Sequence, residues 1–501
     1  MDIKFNKPEQ YDVKALLRYL GMAVAVIVLW KITGGVGSLL VSLFVFYALV
    51  KQKPIEMMFW VLFMTYTSAG NRQLIISNVL SVTTMRATLM LLTLALVTKL
   101  AGNNRESRLI TPFWGIMFYL FWECIVSAQG FSPGVSYLKL LLFFSVFLAM
   151  FGVANTVNRS TRTNAMILRS AILAIISIVI IGSTLIIPIP SLSLMTEKAA
   201  LEAMLSGESV SLFQGMTTHS QVMGPMAAIM GTLVFADLAF SIKKWDKFYL
   251  LLLVLCPFLI YKSSSRTGMG TFIAGVGMVV FLVLKSRGMG HRWKNRLLMA
   301  ITVLVVLGGI VVCAIPSLRG RIAGFALKWS GEADRGEVTM ESLLSSRQAL
   351  IDESVYNFKA KPLCGNGFQV SASMASEKRE GLLDYLTAPI EKGVWIYAIP
   401  EEGGVIGMAL FCIWLFVLFK LLIERHAYIG ASVFFSFVVA NLGEFSLFSM
   451  SYIGGIYWTL TFAATCLDVQ RMKGSSMPVF FVPTEQVMEE VGYEEWTRRQ
   501  G

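Results

Sequence analysis

Arg266 stands in the string YKSSSRTGMG (261–270), where one apolar run stops and the next begins. At such a junction an arginine offers a planar, permanently charged fork that suits two oxygens of a phosphate. Anchoring to a lipid head group would need the same side chain. Arg347 opens a second string, SSRQALIDESVYNFKAKPLCGNGF (345–368), in which Ser345 and Gln348 have capping-box spacing. Ile351, Val355 and Phe358 follow at helical intervals, and Pro362 ends the pattern. This predicts an amphipathic helix and then a Gly365/Gly367 turn, where backbone can approach a neighbour closely. Either the helix only covers a bundle of spans, or Arg347 binds an anion at its start.

Proton chemistry has few candidates. The chain holds His219, His291 and His426, of which only His219, in SLFQGMTTHSQVMGP (211–225), falls on the side that carries the long loops. An imidazole there is a candidate base near neutral pH, set against an incidental loop histidine. EKGVWIYAIPEEGGVIG (391–407) adds Glu391, Lys392, Glu401 and Glu402, expected at the membrane surface beside glycine-rich backbone. Arg86, Glu123, Lys139 and Glu444 interrupt apolar runs, so they are expected to face one another or a polar cavity. Arg169, near the inner end of its run, is expected to snorkel to the cytoplasm. Metal chemistry has little to work with. Neither CxxC nor CxxH occurs, and Glu332, Asp334 and Glu337 are spaced as ordinary solvated loop acids.

The elements that must position these residues are membrane helices. Hydrophobic residues make up 55% of the 501-residue chain and charged ones 15%, with mean hydropathy +0.66. That balance excludes an ordinary soluble protein. Apolar runs of membrane length fall at 15–32, 36–50, 55–69, 79–99, 112–129, 135–155, 165–187, 221–241, 247–262, 267–286, 297–315, 402–423, 428–445 and 450–467. The expected fold is therefore an all-α polytopic membrane protein of roughly fourteen transmembrane helices. The first run reads as a permanent span rather than a cleaved signal. Five of the six cysteines lie in apolar segments and only Cys364 in a long loop, so no disulfide framework is expected.

Orientation follows from Lys and Arg. With the N-terminus inside, the inner side receives Lys4, Lys7, Lys14, Arg18, Lys51, Lys53, Lys99, Arg105, Arg108, Arg159 and Arg162. Lys243, Lys244, Lys247, the cluster from Lys285 to Arg296, Lys420, Arg425, Arg471 and Lys473 follow. The short outer loops hold only Lys31, Arg72, Lys198, Lys262 and Arg266. The net charge of +12 thus belongs to topology and does not mark a nucleic-acid surface. The expected divisions are N-terminal helices (1–187), central helices with an outer loop at 188–220 (188–315), a large periplasmic loop (316–401), C-terminal helices (402–468) and a cytoplasmic tail (469–501).

Taken together, S-R-T-G, a helix-capping arginine, a Pro-x-x-Gly-x-Gly turn (Pro362, Gly365, Gly367) and E-x-G-x-x-G (Glu402, Gly404, Gly407) resemble the O-antigen ligase and polymerase superfamily, most clearly over 210–445. The resemblance implies a GT-C-like, metal-independent glycosyltransferase of the bacterial inner membrane without a cofactor. Its donor would be an undecaprenyl-diphosphate-linked glycan on the outer leaflet, and its acceptor a hydroxyl of a glycan, lipid or protein, among membrane lipids and without nucleic acid. Arg266, Arg347, Lys392 and Arg86 would hold diphosphate or glycan, since a diphosphate leaving group needs fixed cations. Two departures stand out. Relatives often carry arginine in the moderate outer loop, where this chain has Phe213-Gln214-Gly215, which makes Gln214 the substrate-binding candidate. They carry His-Asn where this chain has Glu391-Lys392-Gly393, so Glu391 or His219 would serve as base.

Two other classes compete with this expectation. A polysaccharide flippase also has about fourteen spans, but it should show two similar halves and midplane charges, and this chain shows neither. A non-catalytic scaffold would leave Arg266 and Glu391 freely replaceable.

Overall fold

The computed structural model describes residues 11–33, 53–71, 111–159, 164–194, 213–241, 246–286, 348–370, 393–424, 426–443, 445–450 and 453–472, with a few single residues between them. Every regular element of more than one bridge among these residues is a helix. In chain order they are α1 (Val13–Thr33), α2 (Pro54–Ser68), α3 (Thr111–Ser127), α4 (Pro133–Arg159), α5 (Ala165–Leu185), α6 (Ser220–Phe240) and α7 (Lys247–Lys262). They continue with α8 (Arg266–Lys285), α9 (Gln348–Ala360), α10 (Trp395–Glu424), α11 (Tyr428–Ala440) and α12 (Ile453–Met472), and a single helical turn at Pro190–Ser193 follows α5. Six of them, α1, α4, α5, α6, α8 and α10, are long and apolar enough to cross a membrane.

Local chemistry sets several helix starts. Asn164 accepts the Met166 N–H at the head of α5, and Asp246 accepts those of Phe248 and Tyr249 at the head of α7. Ser265 caps α8 through Gly268 N–H at 3.0 Å. Each satisfies donors that a helix N-terminus leaves open. For α11, whose own cap residue Ala427 has no side-chain bond, the carboxylate of Asp468 on α12 accepts Ile429 and Gly430 N–H instead.

The centre of the bundle is α6, buried along its length and packed against α5, α7, α8, α11 and α12. Gly224 of α6 and Gly268 of α8 touch backbone to backbone, which brings the two helix heads together. A second centre forms around Trp458 of α12. The rings of Phe147, Trp414, Phe434 and Phe437 surround it at 5.2–5.9 Å, and its indole N–H bonds to the Leu447 carbonyl.

From α3 to α8, and again from α10 to α12, successive helices alternate in direction, whereas α1, α2 and α3 all end on the same side, so the connections gather at two ends. One end joins Ala69 to Thr218, Asn71 to Gly215, Trp395 to Asn441 and Phe131 to Asn366 by hydrogen bonds. Arg266 and His219 lie at this end. At the other end Asp12 and Ser170 exchange two bonds, and Tyr11 packs on Phe248 and Tyr249.

The expected spans over the described residues agree with the helices to within a few residues. At α10 the expected start of 402 falls beside the break at Gly404, and a further stretch of helix from Trp395 precedes it. Expected spans 79–99 and 297–315, and nearly all of 36–50, lie outside the described residues.

Arg169 requires a correction. It is 1% exposed and does not snorkel. Its Nε and Nη2 donate to the two carboxylate oxygens of Asp237 on α6 at 2.7 and 3.1 Å, and Tyr249 of α7 donates to Asp237 Oδ2 at 2.6 Å. Burial beside an acid removes the reason to reach for water.

Candidate functional site

The turn after α9 and the first third of α10 form one junction. At Gly404 the backbone takes φ 67° and ψ −165°, a conformation essentially confined to glycine, and α10 breaks there. In an unbroken helix the Glu401 carbonyl would accept the Val405 N–H. Here the Val405 N–H bonds to the Pro362 carbonyl at 2.9 Å, and the Glu401 carbonyl accepts from Asn366 N–H at 2.8 Å. The next carbonyl, of Glu402, accepts from Gly367 N–H at 3.0 Å, and that of Gly403 from the Trp122 indole at 2.7 Å. Backbone groups released by the break are thus paired by the loop and by α3, as an apolar setting requires. The approach is close enough that a Cβ on Gly365 would overlap the Glu402 carbonyl, and one on Gly404 the Leu363 carbonyl.

The amphipathic helix sits on this junction. Ile351, Ser354 and Asn357 form the buried face of α9, with Val355 and Phe358 half-buried beside them. Ser354 Oγ and Asn357 Nδ2 each donate at 2.8 Å to one oxygen of the Glu401 carboxylate, which is 1% exposed. Asn366 Nδ2 returns to the Asn357 carbonyl at 2.8 Å. Beyond the turn, Phe131 N–H bonds to Asn366 O, Phe368 N–H to Ser127 Oγ, and Lys361 Nζ to Gln129 O. The Pro362–Gly367 turn therefore joins three elements: α9, α10 and the α3–α4 hairpin.

Glu401 and Glu402 are both enclosed within the protein, beside the glycine-rich backbone of the break. The bulk of α3 and α9 against the broken helix shuts out water. Glu123 is also fully buried, lying against Gly403, and Tyr119 is within electrostatic reach of Glu123 and Glu402. Lys139, 7% exposed, donates to the Gln369 carbonyl at 3.2 Å. Of the four ionisable residues that interrupt apolar runs, the structure thus brings Glu123 and Lys139 to the same junction. Arg86 and Glu444 lie outside the described residues.

His219 and Gln214 occupy a separate knot at the same end. Asn71 Nδ2 donates to the Leu192 and Gly215 carbonyls at 2.6 Å, and Tyr66 OH donates to Met216 O at 2.8 Å. Within this knot Gln214, 6% exposed, donates from Nε2 to Leu194 O at 3.2 Å. His219 is the cap of α6, its Nδ1 accepting Gln221 N–H at 3.2 Å. In a neutral ring that contact leaves the proton on Nε2.

Arg266 is the first residue of α8, half-buried, following a left-handed Ser264 (φ 51°). The helix head is hemmed in by Gly224 of α6 and by the turn after α11, where a Cβ on Gly443 would overlap Thr267 Oγ1. That turn also fixes the start of α10, since Trp395 N–H bonds to Asn441 O and Phe445 N–H to Gly393 O. Arg266 and Gly393, the residue after Lys392, are therefore joined through one turn. Glu391, Lys392 and Arg347 lie outside the described residues. Among the described residues no group of three His, Cys, Asp or Glu side chains has the geometry to hold a metal ion, and the five described cysteines are free thiols.

Sequence reasoning missed Ser354, Asn357, Asn366 and Trp122. The available signal was two polar residues, Ser354 and Asn357, three apart on the otherwise apolar face of α9. No protein-family model matches this chain, and no curated protein matches it in sequence.

Proposed function

We propose that this protein is a membrane glycosyltransferase of the O-antigen ligase or polymerase type, with about fourteen spans in a GT-C-like arrangement. It transfers or polymerises undecaprenyl-diphosphate-linked glycan at the outer face of the bacterial inner membrane. The observation that carries this reading is the junction itself. Pro-x-x-Gly-x-Gly and E-x-G-x-x-G, two motifs with 34 residues between Gly367 and Glu402, interlock through backbone bonds at the end that holds Arg266. In this reading Arg266 binds the donor diphosphate, with Arg347, Lys392 and Arg86 as further cations and Gln214 beside the glycan. Glu391 takes the proton of the acceptor hydroxyl, and His219 is the second candidate. A fixed arginine stabilises the leaving diphosphate, while orientation of the hydroxyl supplies much of the remaining rate.

Deletion in the native host, followed by analysis of surface glycans and of lipid-linked donor, tests the proposal. The expected result is loss of a surface glycan, with donor accumulating on the outer leaflet. An unchanged glycan profile would sink the enzyme, and donor trapped on the inner leaflet would assign the protein to transport.

A further inference from the structure

We infer that Glu401 is a positioning residue that holds α10 in its broken form by reading the docked state of α9, so that the large loop sets the shape of the helix leading into the site. The broken helix and the turn are complementary in their backbone groups. The turn supplies N–H donors at Asn366 and Gly367 where α10 presents open carbonyls, and a Pro362 carbonyl where α10 presents the Val405 N–H. Removal of the turn leaves those groups with an obvious alternative, the ordinary helical pairing of Glu401 with Val405. Two arrangements of the same segment thus compete, a strapped and broken one and an unstrapped, continuous one.

What keeps the strap down is polar. The fully buried side chains of α9 are Ile351, Ser354 and Asn357, while Tyr356 is 75% exposed and Leu363, in the turn, 64%. One buried isoleucine with three half-buried apolar neighbours, Leu350, Val355 and Phe358, is a modest apolar contact for a 13-residue helix. Both buried polar side chains end on the Glu401 carboxyl group, one on each oxygen. Glu401 is also the residue whose own carbonyl accepts from Asn366, so the clamp and the break share one residue. Its side chain is occupied by α9, which makes it a residue that acts through others rather than on substrate.

This inference rests on the proposed function only for its kinetic consequence. The test uses full-length protein in lipid nanodiscs, comparing wild type, Glu401→Ala, Glu401→Gln and the Ser354→Ala/Asn357→Ala double variant. Hydrogen exchange is followed at Asn366, Gly367 and Val405, and glycan transfer from lipid-diphosphate donor is followed as kcat and KM. Loss of the clamp is expected to speed exchange at Asn366 and Gly367 by about tenfold or more, while Val405, which takes the Glu401 carbonyl in the continuous helix, stays protected. It should lower kcat by a similar factor and raise donor KM as well, because Arg347 and Lys392 adjoin the starts of α9 and α10. Glu401→Gln can still accept from Asn357 and donate to a turned Ser354 hydroxyl, so it should stay close to wild type. Unchanged protection of Asn366 and Gly367 in Glu401→Ala would overturn the inference. So would faster exchange with unchanged kcat, since the strap would then be packing alone. Wild-type protein that transfers no glycan refutes the proposed function instead, and the exchange comparison still decides the strap.

Discussion

Arg169 and Asp237 meet in a two-point ion pair inside the bundle, with Tyr249 closing the second lone pair of one carboxylate oxygen. Three helices, α5, α6 and α7, are tied by these three side chains. Such a pair is costly to bury and adds little net stability over a well-packed apolar replacement, but breaking it strands a charge. Asp237→Ala and Arg169→Ala should each cost about 3–5 kcal/mol, read as a fall in unfolding temperature of detergent-solubilised protein. Arg169→Met with Asp237→Leu should cost much less than the sum of two single losses. Additive losses would mean that the side chains act separately.

At Gly404 the expected effect comes from backbone. Alanine there must hold φ 67° with ψ −165° and overlap the Leu363 carbonyl. A strained conformation of this kind costs about 1–3 kcal/mol before any clash is counted. Gly21→Ala is the matched control, because an added Cβ in α1 meets nothing within 4 Å and should be neutral or stabilising by up to about 1 kcal/mol. Thermal unfolding and protease sensitivity of the 360–370 turn distinguish the two. Equal behaviour would remove any special role for the break.

The helices were legible because burial in lipid demands long apolar runs, and these leave their ends in the sequence. α7 is Lys247–Lys262 and its expected span was 247–262. Depth along a helix is also legible, but the direction in which a side chain points is not. Arg169 was placed at the correct depth and given the wrong neighbour, because Asp237 is 68 residues away. Glycines were readable as close approaches, and Gly365 and Gly404 are such approaches, yet nothing local says that each is the partner of the other. The Glu-Glu-Gly-Gly string was legible as a helix boundary, and the helix does break there at Gly404, but nothing local shows the preceding helical stretch from Trp395 or the loop that pairs the freed groups.

Topology has a direct test in reporter fusions. The loop bearing α9 joins the bundle at the Arg266 end, whereas α8 ends at Lys285 on the opposite side. A reporter active only outside the cytoplasm should work when fused after residue 340 and be silent after residue 290. The reverse pattern would turn the protein over and move every proposed site residue to the wrong leaflet.

Arg266→Lys should impair glycan transfer even though the charge remains. An ammonium cannot make the paired, parallel bonds of a guanidinium to two phosphate oxygens. The expected change is a raised donor KM with an intact fold, since position 266 is the half-buried first residue of α8 and the Ser265 cap is untouched. Full transfer by the lysine variant would reduce Arg266 to a general electrostatic anchor.

In the proposed reaction two residues are candidates for the acceptor proton, and the cap of α6 makes them separable. His219 Nδ1 accepts the Gln221 N–H, so the ring has a structural task whether or not it moves a proton. Asparagine can perform that task, as a good N-cap residue, but cannot act as a base near neutral pH. Alanine can do neither and should cost about 1 kcal/mol of stability. If His219 only caps the helix, His219→Asn keeps near wild-type transfer and stability while His219→Ala loses stability. Glu391→Gln tests the other candidate, since glutamine keeps the shape of the side chain but cannot take a proton. The expected outcome is that Glu391→Gln loses most of kcat in folded, membrane-inserted protein and His219→Asn loses little. Loss in His219→Asn with retention in Glu391→Gln would exchange the assignments. Retention in both would leave orientation of the acceptor, without a base, as the source of the rate.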